Sequence, residues 1–131
     1  MKDVLKAIYD QAVAEDNFMD ALSDQFYLNS APQSIDKPYA VFQLITNAAD
    51  YNFTSTFDVS EIQIDIIDVN TSSNILTLAD KCMTDFDDCT LTVAGYQFLR
   101  MERDWNSLTE DPTEEIQRYT VQYSIWTRKD S

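Results

Sequence analysis

Residues 61–69 read Glu-Ile-Gln-Ile-Asp-Ile-Ile-Asp-Val, and their alternation decides the fold. Ile62, Ile64 and Ile66 fall on one side of an extended chain and Glu61, Gln63 and Asp65 on the other, because successive side chains of a strand point to opposite faces. A segment of this kind is half buried, with one face on a core and the other toward water. Its isoleucines need a cover. Just downstream, Thr71-Ser72-Ser73 offers caps for a helix in which Ile75, Leu76, Leu78, Ala79, Cys82, Met83 and Phe86 form the inward stripe. That helix should end near Asp87 or Asp88.

Upstream, residues 37–46 read KPYAVFQLIT. Pro38 has no N–H to give to a ladder, so it belongs at the first residue of a strand or on an edge. Tyr39, Val41 and Ile45 would line one face and Ala40, Phe42 and Leu44 the other, which predicts a strand covered on both sides near its middle. The following residues 47–58 are polar, dotted with Tyr51, Phe53 and Phe57, and carry no period, which reads as a long loop or a projecting hairpin tip.

The ends complete the pattern. Val4, Leu5, Ile8, Tyr9, Ala12 and Val13 predict an amphipathic helix over 2–14, followed by a short helical turn at 18–24 and a brief edge strand at 25–28. Residues 90–93 and 96–104 read as two strands around Ala94-Gly95, and 106–113 as a solvated loop. Residues 116–128 form the longest strand, with Tyr119, Val121, Tyr123 and Ile125 on one side and Trp126 on the other. The order helix, strands, helix, strands, with connections too short for parallel crossovers except through the second main helix, predicts an α+β fold. We expect an antiparallel-dominated β-sheet with two main α-helices packed on one face, in a single domain over residues 1–131. A chain of this length suits one domain with a real core, since domains run to about 100 to 200 residues.

Composition excludes several chemistries. Histidine is absent, which removes the commonest general base and metal ligand. With Gly95 the only glycine, a phosphate-cradling glycine loop is ruled out, and turns at positive φ fall to Asn and Asp, with Asn47, Asn52, Asn70 and Asn106 the natural candidates. Cys82 and Cys89 are seven residues apart, two helical turns, and read as buried thiols rather than a bridge. The spacing of Asp85, Asp87 and Asp88 lacks the central glycine and distal glutamate of a calcium loop, so these acids read as a solvated helix end. Neighbouring acids such as Glu114 and Glu115 diverge rather than converge on one bond. No catalytic residue, cofactor site or metal site is expected, and the N-terminal segment reads as neither a secretory signal nor a membrane span.

Charge is the strongest compositional signal. Nine basic and twenty-three acidic side chains leave a formal charge of −14. Binding to DNA is therefore unfavourable. Lys37 and Lys81 bound a stretch without any base that holds Asp50, Asp58, Glu61, Asp65, Asp68 and Asp80, and a second such stretch, 104–115, adds Glu110, Asp111 and Glu114.

The pattern as a whole has a counterpart. An N-terminal helix, then Lys37-Pro38-Tyr39-Ala40-Val41-Phe42 opening a strand, an alternating strand from Glu61 to Val69 feeding a helix of Leu76 to Asp85, a two-stranded segment and a long last strand resemble the tail-completion, or tail-terminator, proteins of long-tailed bacteriophages. The resemblance implies a structural virion protein of the tail-neck region, assembled in the host cytoplasm. It implies a homo-oligomer, a hexameric ring that stops growth of the tail tube, contacts the tail tube protein and the neck or head-completion proteins, and lets DNA through its channel without specific binding. It carries no catalytic residue with it, and no membrane is involved. The acidic balance and the long 47–58 segment depart from the family pattern and bear on its position in the neck.

Under that reading Asp50, Asp58, Glu110, Asp111, Glu114 and Glu115 are expected to include channel-lining carboxylates, since acids around a channel repel passing DNA. Pro38, Tyr39, Tyr51, Phe53, Phe57 and Trp126 are the expected subunit or partner interface, on an exposed edge strand, a polar-aromatic projection and the polar face of the last strand. The alternative is an acidic DNA mimic that inhibits a host nucleic-acid-binding protein, which would need its carboxylates spaced over one surface.

Overall fold

The alternating strand sits at the centre of the observed sheet. A computed structural model describes residues 2–51, 56–71 and 73–129, with the side chains of 47–51 and 56 outside the description. The elements are α1 (Lys2–Glu15), α2 (Asn17–Ala21), β1 (Phe26–Leu28), β2 (Tyr39–Tyr51), β3 (Thr56–Val69), α3 (Asn74–Phe86), β4 (Tyr96–Asp111) and β5 (Ile116–Lys129). The five strands lie in the order β1-β2-β3-β5-β4, and every pairing except β1 with β2 is antiparallel. The fold is α+β, as the sequence indicates.

One face of the sheet carries the core. Ile62, Ile64 and Ile66 of β3 and Tyr119, Val121, Tyr123 and Ile125 of β5 are buried there together with Val4 and Ile8 of α1, Phe18 of α2, and Ile75, Leu78 and Cys82 of α3. Burying a side chain of this size is worth about 1.5–3 kcal/mol relative to exposure, so this layer supplies the main driving force. The aromatic end of the core is a stack in which Phe26 lies 4.5 Å from Phe42 and 5.6 Å, edge-on, from Phe18.

A buried carboxylate ties two helices together. The N-cap residue of α2, Asp16, sits at φ 63 and makes no side-chain cap bond. Its place is filled across space: the carboxylate of Asp85 on α3, only 2% exposed, accepts hydrogen bonds from the backbone N–H of Phe18 and from Nδ2 of Asn17, both at 2.9 Å. A carboxylate at a helix N-terminus answers both its free N–H groups and its dipole. Asp85 is thus a structural cap rather than part of a solvated helix end, which describes only the exposed Asp88. Asp87 accepts a hydrogen bond from the Tyr123 hydroxyl at 2.7 Å and faces Arg103 at 3.6 Å.

Five other expectations are corrected. β2 is not an edge strand at its start: β1 pairs with Ala40, Val41 and Phe42 on one side, β3 pairs along the other, and Pro38 stands just before the strand. The connection over residues 29–38 makes the one parallel pair without a helix; it includes the cis Lys37-Pro38 peptide, and Gln25 braces it by donating to the carbonyls of Asp36 and Pro38. Residues 90–93 are not a strand but a loop anchored by buried Leu91 and Val93. The supposed loop at 106–113 is strand up to Asp111, because β5 supplies a ladder partner at every step from Asn106↔Val121 to Asp111↔Ile116. Leu76 is 52% exposed rather than part of the inward stripe of α3.

One finer expectation also shifts, and of the two forms expected of residues 47–58, loop or hairpin tip, the hairpin is the one found. Positive φ falls to Asp16, Asp24, Asn29 and Asp88 among the Asx residues, while Asn47 and Asn106 lie in strands. The 47–58 segment is a hairpin, since β2 continues to Tyr51 and β3 starts at Thr56.

Candidate functional site

Among the described residues no helix covers the second face of the sheet, and its surface follows from strand parity. Across its middle, Gln43 of β2, Gln63 of β3, Gln122 of β5 and Trp105 of β4 are register neighbours in a row. On the flanking rows Asp65 accepts from the Thr120 hydroxyl at 2.6 Å and from Nε2 of Gln63 at 3.0 Å, and Asp104 accepts from the Ser124 hydroxyl at 2.6 Å. Side chains of adjacent strands cover one another here, so Thr120 and Ser124 are buried without a second layer. Tyr39 and Val41, expected to be covered on this side, are only half-buried.

The two ends of this face differ in charge. Beside the β2–β3 hairpin the guanidinium of Arg100 lies 4.0 Å over the ring of Trp126, and that of Arg128 lies 4.9 Å over Phe57. Phe57, Leu99, Arg100 and Trp126 line a cavity of about 250 Å³. Arg100 also faces Glu102 at 3.4 Å. At the other end the β4–β5 turn carries Glu110, Asp111, Glu114 and Glu115, all exposed. There Oδ1 of Asp111 accepts from the backbone N–H groups of Thr113 at 3.1 Å and Glu114 at 3.3 Å, which holds the turn in shape.

Neither predicted set stays together. Asp58 pairs with Ala49 and Thr127, whereas Asp111 pairs with Ile116, which in turn pairs with Val69. From Asp58 to Val69 is eleven residues along β3, about 36 Å at about 3.3 Å per residue. Asp50 and Asp58 therefore occupy the opposite end of the sheet from Glu110, Asp111, Glu114 and Glu115. Of the interface set, Phe57 and Trp126 meet in the arginine-capped cluster, while Pro38 and Tyr39 lie toward the acidic end, where Tyr39 pairs with Ile67. The side chains of Asp50 and Tyr51, and all of Phe53, are outside the described residues. The strand acids also fail to share one surface, since Glu61 and Asp65 lie on the open face and Asp68 is buried on the other.

Sequence reading missed Arg100 and Arg128. The signal was present in two forms. All four arginines fall between positions 100 and 128, and Trp126 and Arg128, two apart on β5, must share a face.

Burial favours the neutral forms of Cys82, Cys89 and Tyr123. Burial pushes the Cys82 thiol well up, with Asp85 and Asp87 adding to the shift. Burial likewise raises the Cys89 thiol to about 11, and raises the Tyr123 phenol strongly, reinforced by Cys82 and by the Asp87 carboxylate to which it donates. Groups in this state are poor nucleophiles at neutral pH. Among the described residues no group of three Cys, Asp or Glu is placed to hold a metal ion, and no helix is long and apolar enough to cross a membrane.

The sequence profile of a phage structural family, tail completion protein gp17, matches residues 6–128. The chain belongs to the tail completion family. No curated protein sequence matches this tail completion chain. In structure it is similar to a chain from the virion of a native gene transfer agent particle, with a TM-score of 0.79 at 13% identity, covering 94% of this chain and 92% of that one. A second solved chain superposes with a TM-score of 0.54 at 12% identity over 88% of this chain and 94% of its own. At such identities the likeness is one of fold. As a tail completion protein the chain is a structural component of a phage-type tail.

Proposed function

We propose that this protein is the subunit of a hexameric ring that caps the tail tube and joins it to the neck, folding as one domain over residues 1–131 and taking its place in the virion after assembly in the host cytoplasm. The observation that carries this reading is the family match over residues 6–128. The virion origin of the gene transfer agent chain that shares the fold supports it.

The sheet supports it too. Its two edges are unlike: β1, three residues long, closes one side, and β4 closes the other with residues 102–111 exposed. A contact between two different surfaces of one chain generates a rotation, and a rotation that closes gives a ring. Work done through such contacts needs no bond-making chemistry, and the protein acts without a catalytic residue or cofactor.

The channel wall is drawn from the carboxylates flagged above. Because Asp50 and Asp58 stand about 36 Å from the β4–β5 turn, they make two belts if the strands run along the channel and one belt if the strands run across or around it. In either case a ring of acids keeps DNA moving through without adhesion, and high salt weakens the effect.

The test is electron microscopy and native mass spectrometry of the purified protein, alone and mixed with tail tube protein. Six-fold rings that cap tube ends are the expected result. A chain that stays monomeric in every mixture would overturn the reading.

A further inference from the structure

Any contact between copies of a chain with a formal charge of −14 must bring base to acid, or it leaves uncompensated carboxylates on both sides at a cost of several kcal/mol. Nine bases are available, and most are committed or scattered. Lys6 pairs with Asp10 and Arg103 with Asp87, while Arg118 is already at the acidic end. The exception is the cluster beside the β2–β3 hairpin, where Arg100 and Arg128 lie flat on Trp126 and Phe57.

Stacking fixes a guanidinium in place while leaving the N–H groups at its edge free for a carboxylate. Arg128 is half-buried, and its Nε is buried without a hydrogen-bond acceptor among the described residues, so the terminal N–H groups of its guanidinium are the ones that can reach a second copy. Arg100 is held by Glu102 only at 3.4 Å, which leaves most of its five donors for another partner.

The matching acid is also in view. Glu114 and Glu115 are exposed, make no ion pair among the described residues, and sit on a turn that Asp111 braces from within. Within one chain they stand about 36 Å from the arginines, so the two can meet only between chains.

We propose that the Arg100–Arg128 patch of one copy receives the Glu114–Glu115 turn of the next, resting on the ring reading above. The contact is head to tail, with different surfaces on its two sides, as a closed ring requires. It takes Glu114 and Glu115 out of the channel wall and leaves Asp50, Asp58, Glu110 and Asp111 to line it.

Charge exchange tests this with the full chain. One variant carries Glu114→Lys and Glu115→Lys, the other Arg100→Glu and Arg128→Glu, with Arg100→Glu alone as a milder form should the pair disturb folding by circular dichroism. Sedimentation velocity and native mass spectrometry, with and without tail tube protein, read the assembly. Each variant alone should associate about tenfold or more weaker than the original chain. An equimolar mixture should recover, because in an alternating ring each lysine turn meets a glutamate patch and each native turn a native patch.

Variants that assemble as well as the original chain, or a mixture that does not recover, would overturn this contact while leaving the ring reading intact. Failure of the original chain to assemble at all would remove both. Duplex DNA binding by the original chain that the patch variant loses would assign the arginines to nucleic acid instead.

Discussion

Replacing Asp85 by alanine should unlatch α2 from α3, and the size of the effect follows from two hydrogen bonds. The carboxylate accepts from the N–H of Phe18 and from Nδ2 of Asn17, each at 2.9 Å. Asn17 is exposed and can turn its amide to water, but Phe18 is fully buried and its N–H has no such option. An orphaned buried donor costs about 1–3 kcal/mol, and a hydrogen bond to a charged group is worth about 1.5–3 kcal/mol. Relief from burying a carboxylate offsets part of that sum. The net expectation is a loss of about 2–3 kcal/mol.

For a chain of 131 residues that loss lowers Tm by about 6–15 °C, taking about 3–5 °C per kcal/mol. Asp85→Asn retains an oxygen for the Phe18 N–H and should lose only about 1 kcal/mol. Urea unfolding followed by far-ultraviolet circular dichroism measures both, with the slope m expected to stay constant. An alanine variant within about 0.5 kcal/mol of the original, or an asparagine variant as weak as alanine, would refute the cross-helix cap.

Raised folded-state pKa values at Cys82, Cys89 and Tyr123 mean that unfolding releases protons once the unfolded thiols titrate, near pH 8.5 to 9, so stability should hold below that range and fall as pH rises toward about 11. Urea midpoints from pH 7 to 10.5 check it, and a flat profile counts against the buried thiols. Gly95 sits at φ 79 in the turn before β4, and a Cβ there would touch nothing within 4 Å, so Gly95→Ala should cost about 1 kcal/mol from backbone strain alone; a neutral result in thermal melts would argue against that turn geometry. Trimming the β2–β3 hairpin beyond the Ala49↔Asp58 pair removes only its last two paired rungs. Tm should move by less than about 4 °C, about one kcal/mol for this length, while ring or tube association weakens; unchanged association would remove the hairpin from the interface.

Periodic elements were legible and aperiodic ones were not. β3 and the helix face of β5 alternate because one side of each is buried, so the core stripe could be read residue by residue from Ile62 to Ile125. β4 has no such contrast. From Glu102 to Asp111 every residue is exposed, so no hydrophobic period marks the strand, and only its ladder with β5 makes it one. The parallel pairing of β1 was hidden for another reason: it depends on the path of residues 29–38, which no pattern in side-chain type encodes. The candidate assembly surfaces were half visible. Phe57 and Trp126, singled out from residue type, meet in one cluster, but the sorting of charges onto two ends of one sheet is a matter of register, and register appears only once β3 and β5 are aligned.

The exposed half of β4 bears on assembly as well. A long open edge invites unwanted pairing with any extended chain, and proteins guard such edges with charge and irregularity. β4 has both: Glu102, Arg103, Asp104, Glu110 and Asp111 stud it, and its register shifts between Arg103 and Trp105. Yet Trp105, 45% exposed, and Leu108, 41% exposed, lie in the same segment, where a strand that only needed to stay unpaired would carry polar groups. Guarded backbone beside accessible apolar side chains is suited to a partner that docks by shape at one defined place and is refused as a generic strand. A ring subunit has that requirement, since each copy must accept one neighbour on each side and reject every other mode of association.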